Sequence, residues 1–597
     1  MKANSKRLAG MLALVVWGLS MQTQAQSSIS FATPIANCNA SCIATDVDTV
    51  KKNFYFIGML EGSADFDPSS KKKTLTGNGN YEPMDGVELG TPIVASYKET
   101  ATGVALNWAK TIKPIANGSY IYLSDVVFDY ATSSICVTGS FYGKIKTDAT
   151  VLTSLSDGVN VFFIKYSASG TVLKSAVLKS VSSSDYPALE VQETITDKNG
   201  NLYILGNYFG GDVYFNPSPY NSNSITFPTG ENGEKDYFLA KYDKNFKLMW
   251  AKPIRTNENE IDIKMDVDKG GNNILLSGFY KVDTTKLSID FNTKDAYQYY
   301  LKGKDGAYNS FFAKYFSSNG NLQFAKRIEG APWGNAKFDN VGNIVFIGNV
   351  EKNKPVYLVP DNNLTTKVVA TTDTAFIARY NGIGAFQWSA LIMGNGRFTI
   401  DSKNNTIISS YNSVKKMYNI YKYTSMAVLK WKTTFKPTVQ NAGYANIVSS
   451  APVACFGNTL YFTGNFYGGY TLVASSTSKK LTTSGGWFVA KYKLSGTALS
   501  PEDQIEENNS NTYKMNATTS SMNVSIYPNP ATDVLTLKTT LTGNAVITIY
   551  NYNGVAVKTV QATEQETKLN ISELPAGIYF VEMVGNGNKE VNKIIKN

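Results

Sequence analysis

Three segments near the middle of the chain reveal its architecture: Gly200-Asn201-Leu202-Tyr203-Ile204-Leu205-Gly206, Asp236-Tyr237-Phe238-Leu239-Ala240-Lys241-Tyr242 and Trp250-Ala251-Lys252. Each is typical of a short β-strand, because its side chains alternate or form a brief apolar run. The same segments return in the same order with a period of roughly 45–75 residues. A repeat of this length, with about four short strands, is typical of one blade of a β-propeller.

The repeat occurs seven times and is counted most easily by its lysine–tyrosine pair. The pairs are Ser96-Tyr97 (a degenerate first copy), Lys165-Tyr166, Lys241-Tyr242, Lys314-Tyr315, Arg379-Tyr380, Lys422-Tyr423 and Lys491-Tyr492. The strand before each pair carries Gly58, Gly139, Gly206, Gly278, Gly348, Ser410 or Gly464. The strand after it carries Trp108, Trp250, Phe324, Trp388 or Trp431, and the second copy lacks an aromatic residue there. We therefore predict an all-β, seven-bladed β-propeller over residues 26–500.

The seventh copy ends after Lys491-Tyr492 without a Trp-Ala-Lys strand. The missing strand has a counterpart near the other end of the chain, where residues 29–35 parallel residues 248–254. We predict that residues 28–35 complete the seventh sheet as its outer strand. This pairing closes the ring and removes an open sheet edge, which would otherwise template aggregation.

The turns between the first two strands of a copy have sequences such as Asp197-Lys198-Asn199-Gly200-Asn201 and Asp339-Asn340-Val341-Gly342-Asn343. Aspartate can bond the backbone of such a turn, and glycine supplies a positive φ. These segments also have a superficial likeness to calcium loops. We favour hairpin turns, because each lies between two strands, and we expect no cofactor while leaving calcium open.

The repeats resemble the bacterial seven-bladed propeller repeat, with Gly139-Ser140-Phe141, Gly464-Asn465-Phe466 and Asp65-Phe66-Asp67-Pro68 as its best-matching segments. Looser matches are residues 213–217 and 289–292. The resemblance covers roughly residues 28–499 and implies a fold, but it says almost nothing about activity.

The N-terminus has the pattern of an export signal. Lys2, Lys6 and Arg7 precede an apolar run from Leu8 to Met21, and cleavage between Ala25 and Gln26 would fall after small side chains. The run is short for a membrane span. We predict that residues 1–25 are a signal peptide and that no transmembrane segment remains in the mature chain.

Residues 501–522 contain clustered acidic residues followed by Asn, Ser and Thr, with few bulky apolar groups. This composition cannot bury a core and predicts a flexible linker. Alternating apolar residues then return in residues 524–538 and 546–550, and again near residues 574–581. They predict a small C-terminal β-sandwich over residues 523–597.

This tail resembles the type A C-terminal sorting domain of the type IX secretion system of Bacteroidota. The residues that carry the resemblance are Tyr527, Pro528, Asn529, Pro530, Asp533, Gly554, Leu574, Gly577, Tyr579, Lys593 and Lys596. The resemblance implies recognition by the outer-membrane export machinery and removal by a sortase-like peptidase. The protein would then be released or attached to surface lipopolysaccharide. An accessory carbohydrate-binding sandwich is the alternative.

Composition excludes several function classes. The chain has 57 Lys and Arg against 47 Asp and Glu, but no basic stripe or nucleic-acid module, so nucleic acid is not an expected partner. The count of histidine is 0, which excludes Ser–His–Asp and Cys–His catalysis and His-ligated metals. Carboxylate, tyrosine or lysine chemistry remains open, as does oxygen-bound calcium.

There are 4 cysteines in the chain. Cys38 and Cys42 are close enough in sequence to form a local disulfide in an exported protein. We expect Cys136 and Cys455 to stay unpaired and buried, since they lie at different points of the repeat.

Candidate site residues lie in the long connections between the second and third strands of a copy. Tyrosines suited to stacking on sugar rings or protein partners are Tyr214, Tyr220, Tyr297, Tyr299, Tyr300 and Tyr308. Packing of these tyrosines within an extra strand is the alternative. Carboxylates that could serve acid–base chemistry are Asp65, Asp67, Asp212, Asp290 and Asp295, although a role in turns fits them better. No catalytic residue is assigned.

We interpret the chain as an exported cell-surface or secreted protein that binds a glycan or protein ligand. A carboxylate-based glycan-active enzyme and a structural surface component are the alternatives.

Overall fold

The computed structural model describes residues 26–35, 40–77, 90–154, 159–181, 189–208, 212–217, 236–256, 261–281, 289–291, 301, 306–359, 366–394, 396–412, 417–437, 454–456, 459–467, 470–473, 478–481, 485–495, 524–539, 545–551, 556–585 and 588–597. These residues form β-strands and the turns between them, with no helix among them. The predicted signal peptide (1–25), the predicted linker (501–522) and Cys38 lie outside the described residues. The chain divides into two compact units, residues 1–513 and 514–597.

The strands of the first unit, in chain order, are β1 (Gln26–Ile35), β2 (Ala40–Asp48), β3 (Asn53–Leu60), β4 (Ser63–Asp65), β5 (Thr74–Thr76), β6 (Thr91–Glu99), β7 (Val104–Thr111), β8 (Lys113–Pro114), β9 (Tyr120–Asp129), β10 (Ser134–Tyr142), β11 (Lys144–Thr147), β12 (Thr150–Thr153), β13 (Asn160–Ser167), β14 (Val172–Val181), β15 (Leu189–Thr196), β16 (Leu202–Tyr208), β17 (Asp212–Tyr214), β18 (Asp236–Tyr242), β19 (Leu248–Thr256), β20 (Ile261–Val267), β21 (Asn273–Lys281), β22 (Ile289–Asp290), β23 (Tyr308–Phe316), β24 (Leu322–Glu329), β25 (Gly334–Phe338), β26 (Ile344–Val350), β27 (Val356–Tyr357), β28 (Lys367–Val368), β29 (Thr374–Tyr380), β30 (Phe386–Ile392), β31 (Phe398–Ile400), β32 (Thr406–Asn412), β33 (Met417–Tyr423), β34 (Leu429–Pro437), β35 (Ala454–Phe456), β36 (Thr459–Tyr467), β37 (Tyr470–Val473), β38 (Ser478–Leu481) and β39 (Gly485–Ser495).

Each of the seven sequence copies forms one antiparallel sheet within the described residues. In order of pairing these are sheet 1 (β2-β3-β6-β7), sheet 2 (β9-β10-β13-β14), sheet 3 (β15-β16-β18-β19), sheet 4 (β20-β21-β23-β24), sheet 5 (β25-β26-β29-β30), sheet 6 (β31-β32-β33-β34) and sheet 7 (β35-β36-β39-β1). Short insertion strands extend several of them: β17 pairs with β14, β22 with β19, β27 with β24, and β37 with β34.

The predicted pairing of residues 28–35 with the last copy is confirmed. Strand β1 runs antiparallel to β39, with Ile29 opposite Tyr492 and Ile35 opposite Trp487. Phe31 and Ile35 are buried in a cluster that joins sheet 7 to sheet 1. Sheet 7 is therefore built from both ends of the first unit's described sequence.

Consecutive sheets pack against one another through shared hydrophobic clusters. Such clusters join sheets 1 and 2, 2 and 3, 3 and 4, 4 and 5, and 5 and 6. Strand β38, on the edge of sheet 6, contacts β1 of sheet 7. The apolar residues of each strand thus serve two interfaces, one on either face of the sheet.

In sheets 2, 5 and 6, the repeated basic residue forms an ion pair with the turn aspartate of its own sheet. Lys165 Nζ lies 2.7 Å from Asp129 Oδ2, and Lys422 Nζ lies 2.8 Å from Asp401 Oδ2. Arg379 pairs with Asp339 in the same way. Since both partners are buried, loss of one would leave an uncompensated charge in the interior.

In sheets 3 and 4, the repeated lysine reaches the next sheet. Lys241 Nζ donates to the backbone oxygen of Ser317 at 3.0 Å, and Lys314 Nζ donates to that of Gly382 at 2.6 Å. Each acceptor lies in the hairpin between the third and fourth strands of the following sheet. Lys165 and Arg379 make both kinds of contact, because they also donate to Lys244 O and Ser425 O of the following sheets, each at 3.4 Å.

The repeated tryptophan reaches the same hairpin. Trp108 Nε1 donates to Ala168 O at 2.9 Å, and Trp250 Nε1 donates to Ser317 O at 3.0 Å. Gly170, at φ 81°, packs so closely on the Trp108 ring that a Cβ atom would lie 2.6 Å from it. Glycine meets both the positive φ and the close approach.

The repeated tyrosine holds the connection between strands two and three. Tyr97 donates its hydroxyl hydrogen to Phe66 O at 2.9 Å, and Tyr242 donates to Phe215 O at 3.0 Å. Phe66 and Phe215 are themselves fully buried. The tyrosine hydroxyls thus hold the backbone of these connections, while the side chains of Phe66 and Phe215 pack in the hydrophobic clusters.

The second unit contains β40 (Ser525–Tyr527), β41 (Val534–Lys538), β42 (Ala545–Asn551), β43 (Ala556–Ala562), β44 (Glu566–Asn570), β45 (Gly577–Gly585) and β46 (Asn588–Lys596). They form two antiparallel sheets, β40-β41-β44 and β43-β42-β45-β46. One cluster, which includes Leu535 and Leu537 from the first sheet and Ile547 and Val581 from the second, lies between them. The described residues thus form the two layers that the alternation predicted.

Candidate functional site

Two of the six candidate tyrosines are described. Tyr214 ends β17, opposite Lys179 of sheet 2, and is half-buried. Tyr308 begins β23 of sheet 4, with Lys281 Nζ 5.6 Å from its ring centre. The two lie on different sheets. Tyr220, Tyr297, Tyr299 and Tyr300 fall outside the described residues, so a shared tyrosine surface stays a prediction.

The candidate aspartates that are described organise turns. Asp65 Oδ1 accepts hydrogen bonds from the backbone N–H of Asp67 at 3.1 Å and of Lys73 at 2.8 Å. Asp67 Oδ1 accepts one from Ser69 N at 2.9 Å. Asp290 is buried on β22, the side chain of Asp212 is not described, and Asp295 lies outside the described residues. The preference for a structural role is confirmed for Asp65 and Asp67.

The turn aspartates behave in the same way. Asp197 Oδ1 accepts from the backbone N–H of Asn199 at 2.9 Å and of Asn201 at 3.0 Å, while Oδ2 accepts from the side chain of Asn201 and the hydroxyl of Tyr203. Gly200 has φ 78°. Protein donors occupy both carboxylate oxygens, as a hairpin turn requires.

A cavity of about 490 Å³ opens beside sheet 1. It lies among the β2–β3 and β6–β7 hairpins of sheet 1 and the β13–β14 hairpin of sheet 2. Its lining consists of Lys51, Asn53, Lys98, Asn107, Trp108, Ala168 and Ser169. The lining residues therefore include two lysines, two asparagines and a tryptophan of sheet 1, together with Ala168 and Ser169 of sheet 2.

The cavity lies next to the place where the repeat has lost its basic residue, because its lining residue Trp108 lies opposite Ser96. Ser96 lies opposite Tyr55 on one side and Trp108 on the other, as Lys241 lies opposite Tyr203 and Trp250 in sheet 3. In sheet 3 the lysine and the tryptophan both donate to Ser317 O. In sheet 1, Ser96 is fully buried, and its hydroxyl oxygen accepts a hydrogen bond from Asn107 Nδ2 at 3.1 Å.

Loss of the lysine also changes two buried polar groups nearby. Asp48 is 2% exposed, and the hydrogen bonds that its side chain makes within the described structure, from Val50 N and Lys51 N, both go to Oδ1. The Tyr55 hydroxyl is buried near Asp48, Asn53 and Ser96 but makes no hydrogen bond of standard geometry. Burial, reinforced by the charge of Asp48, raises the pKa of Tyr55 to about 12. In sheet 3 the equivalent Tyr203 donates to Asp197 Oδ2 at 2.9 Å.

The degenerate first copy at Ser96 was visible in the sequence, but its consequence was missed. The sequence shows that lysine is absent there. It does not show that Ala168 and Ser169 of the next sheet line the cavity.

A second feature missed from the sequence is a row of acidic side chains on the first strands of sheets 1 to 4. Each accepts a hydrogen bond from the first strand of the next sheet: Asp46 from Phe128 N at 2.6 Å, Asp125 from Thr194 N at 2.8 Å, Glu193 from Met265 N at 2.5 Å, and Asp266 from Phe338 N at 2.7 Å. Burial raises the pKa of Asp46 to about 6 and that of Asp125 to about 7. These carboxylates join sheets rather than face an open cleft, so they give no support to acid–base catalysis.

The described cysteines are not reactive sites. Cys136 is free and buried, as predicted, and burial raises its pKa to about 12. Cys42 is buried, with Sγ 3.7 Å from Ala44 O, and burial raises its pKa as well. Its predicted pairing with Cys38 stays a prediction, and the side chain of Cys455 is not described.

In the second unit, the segment Tyr527-Pro528-Asn529-Pro530 is exposed. It is fixed to the last strand, because Asn529 Oδ1 accepts from Ile595 N at 2.9 Å and Ala531 N donates to Ile595 O at 2.8 Å. The Tyr579 hydroxyl donates to Pro575 O at 2.9 Å, while Leu574 is buried. Asp533 presents its backbone oxygen to Ile571 N, whereas Gly554 lies outside the described residues. An exposed proline-rich segment is thus bonded to the last strand of the second unit.

Residues 525–597 match the family model of a secretion system C-terminal sorting domain. The tail therefore marks the protein for export by the type IX secretion system, across the outer membrane to the cell surface or beyond. No curated protein matches the chain. No helix within the described part of the chain has the length and apolar character that a membrane span requires.

Proposed function

We propose that the protein is an exported binding protein whose first unit is a closed seven-bladed β-propeller. Two observations support the ring. Strand β1 completes the sheet of the last copy, and the first strands of sheets 1 to 5 contact one another in sequence order. This order is expected when the first strand of every blade lies nearest the axis of a propeller.

The observation that carries a binding role is the cavity beside sheet 1. It is lined by side chains of several polar types, and its volume of about 490 Å³ falls within the roughly 300–1,000 Å³ that is usual for small-ligand sites. The repeated packing of the copies accounts for their buried lysines, tryptophans and tyrosines. It does not account for the open space beside sheet 1. A ligand from outside the cell, glycan or protein, is the partner that the export route makes available.

In this proposal, residues 1–25 are removed as a signal peptide, and residues 501–522 tether the sorting domain. The export machinery recognises that domain, and a sortase-like peptidase releases it. Adhesion or ligand capture at the cell surface is then the task of the propeller.

The test is a binding screen of the mature chain, residues 26–597, on an array of glycans and on extracellular polymers extracted from bacterial cultures. Reproducible binding of the folded protein to a defined glycan or protein supports the proposal. If the folded protein binds nothing in either format, a structural surface role replaces the binding role.

A further inference from the structure

We propose that the first unit docks on an anionic lipid surface through the turns at one edge of its sheets. These turns join strands one and two, or strands three and four, of each sheet, and we call their common surface the hairpin edge. The inference goes beyond the proposed ligand-binding role, because it assigns a different surface to a different partner.

The turns of consecutive sheets lie side by side. A side chain of one sheet donates a hydrogen bond to a backbone oxygen in the turn between strands three and four of the next sheet. The bonds run from Trp108 to Ala168, from Lys165 to Lys244, from Lys241 to Ser317, from Lys314 to Gly382 and from Arg379 to Ser425. The hairpin edge is therefore continuous from sheet 1 to sheet 6.

The most exposed large apolar side chains of the first unit lie on this edge. Among the described residues, those that are at least 50% exposed are Val50, Leu173, Met249, Val341, Met426 and Val428. Each lies in such a turn or is the second residue of the strand that follows one. Single exposed apolar residues are ordinary, but their confinement to one edge indicates an interaction surface.

The last two copies of the repeat contain no acidic residue. Between Asp401 and Glu502 the sequence has 11 lysines and neither aspartate nor glutamate. Lys403, Lys430 and Lys493 are exposed at or next to turns of the hairpin edge, and they make no ion pair within the described structure. A surface with one sign of charge attracts a partner of the opposite sign.

Hydrogen bonds join the turns of sheets 5 and 6 closely. Asn340 Nδ2, in a turn of sheet 5, donates to Asp401 O at 2.7 Å and to Asn404 Oδ1 at 2.6 Å, both in a turn of sheet 6. Arg379 of sheet 5 donates to Ser425 O, in the other turn of sheet 6, at 3.4 Å. The turns of the two sheets therefore form one continuous surface.

This surface carries both apolar and basic side chains, which we call the docking patch: Val341, Lys403, Met426, Val428 and Lys430. The acidic residues of the same turns, Asp339 and Asp401, are buried in ion pairs. Within these described turns, no exposed carboxylate offsets the charge of the two lysines.

The combination favours a lipid surface over other anionic partners. An acidic polysaccharide or a nucleic acid would neutralise the lysines but leave Val341 and Met426 in water. At a bilayer, the ammonium groups meet phosphate headgroups, while the apolar side chains enter the boundary between headgroups and acyl chains. Export across the outer membrane brings the protein to such a surface.

The test is co-sedimentation of the mature chain, residues 26–597, with lipid vesicles. One set contains equal parts of phosphatidylglycerol and phosphatidylcholine, and the other contains phosphatidylcholine alone. We expect binding to the mixed vesicles only. Binding should weaken as the salt concentration rises, because salt screens the attraction between lysines and headgroups.

Two double variants test the docking patch. Lys403→Gln/Lys430→Gln should lower the affinity for mixed vesicles roughly tenfold or more, because each lysine loses its attraction to the headgroups. Met426→Ser/Val428→Ser should lower it by about tenfold, because the apolar contact with the bilayer is lost. All four positions except Val428 are unpaired by ion pairs or buried packing, and the melting temperature of each variant checks that it is folded.

The matched control is Lys146→Gln/Val151→Ser. Both residues are exposed, but they lie on β11 and β12, beyond the end of β10 that is opposite to the hairpin edge. This variant should bind mixed vesicles as the wild type does.

Equal binding to both kinds of vesicle, or to neither, would overturn the inference. So would full affinity of both folded docking-patch variants, or a loss of affinity as large for the control. If the protein sediments with no vesicle but binds soluble dextran sulfate, an acidic polymer replaces lipid as the partner. None of these outcomes decides the ligand screen proposed above, because that screen uses soluble glycans and polymers without lipid.

Discussion

Ile29 lies directly opposite Tyr492 across the antiparallel pair β1–β39, although the two residues are separated by almost the whole of the first unit. The pairing gives the final sheet its fourth strand. It also ties the first described segment of the chain to the last repeat, so unfolding of one end should loosen the other.

Removal of residues 26–36 should lower the melting temperature sharply, because it takes away an outer strand and the buried side chains of Phe31 and Ile35. The point variant Phe31→Ala should cost about 3–5 kcal/mol of unfolding free energy. Ser30→Ala, in the same strand, is the control. Chemical denaturation of the three proteins checks the prediction, and equal stability of Phe31→Ala and the wild type would contradict it.

Lys165→Met should destabilise the first unit by about 3–5 kcal/mol, because it leaves the buried carboxylate of Asp129 without its cation. The double variant Lys165→Met/Asp129→Asn should recover part of that loss. Lys354→Met, which breaks the solvent-exposed pair with Glu351, is the control and should change little. Denaturation curves measure the stability of the three variants. A loss for Lys165→Met as small as that for Lys354→Met would contradict a stabilising role for the buried pair of Lys165 with Asp129.

Stability should depend on pH through the carboxylates of the first strands. The pKa of Asp125 is raised to about 7 by burial and by the charge of Glu193. Because the folded state holds this proton more tightly than the unfolded state, the contribution to stability is present at low pH and is lost as the pH rises through about 7. Asp46, with a pKa near 6, adds to the same trend at slightly lower pH.

Asp125→Asn should therefore flatten the fall in melting temperature between about pH 4 and pH 7, because the folded state holds an extra proton only between the unfolded and the folded pKa of this carboxyl group. Asparagine keeps an acceptor oxygen for the Thr194 N–H, so the link between sheets 2 and 3 can persist. Asp373→Asn, which alters an exposed carboxylate, is the comparison. If the melting temperature of Asp125→Asn falls with pH as steeply as that of the wild type, or more steeply, the raised pKa of Asp125 is refuted.

Deletion of residues 523–597 should hold the protein in the periplasm, because the export machinery would have no sorting domain to recognise. Cell fractionation and protease accessibility of intact cells measure the location. The control is the chain with a neutral surface substitution in the first unit. Delivery of the truncated protein to the cell surface would contradict the role of the tail.

The strands were predictable because their signal is local. Alternation in segments such as Phe238–Tyr242, with glycine-containing turns between them, is enough to place a strand and to count the copies. The sorting domain was predictable because its motif residues are spread over the whole tail, from Tyr527-Pro528-Asn529-Pro530 to Lys596.

The functions of the repeated side chains were less accessible, since they depend on a neighbouring sheet. Lys165 pairs with Asp129 of its own sheet, but it also approaches Lys244 O in the next one. The pocket beside Ser96 requires Ala168, which is distant in sequence. The tyrosine prediction relied on composition in long connections, and composition does not specify which residues meet.

The proposed closure of the first unit depends on the pairing of β1 with β39. Its most direct test is a disulfide between Ser28→Cys and Lys493→Cys, which are opposite each other in the β1–β39 pair. Facing positions on antiparallel strands are close enough for such a bond. Mild oxidation of the folded mature protein should give a 28–493 crosslink by peptide mass spectrometry, with a higher melting temperature than either single-cysteine variant. A folded protein that forms no such crosslink would contradict the closure.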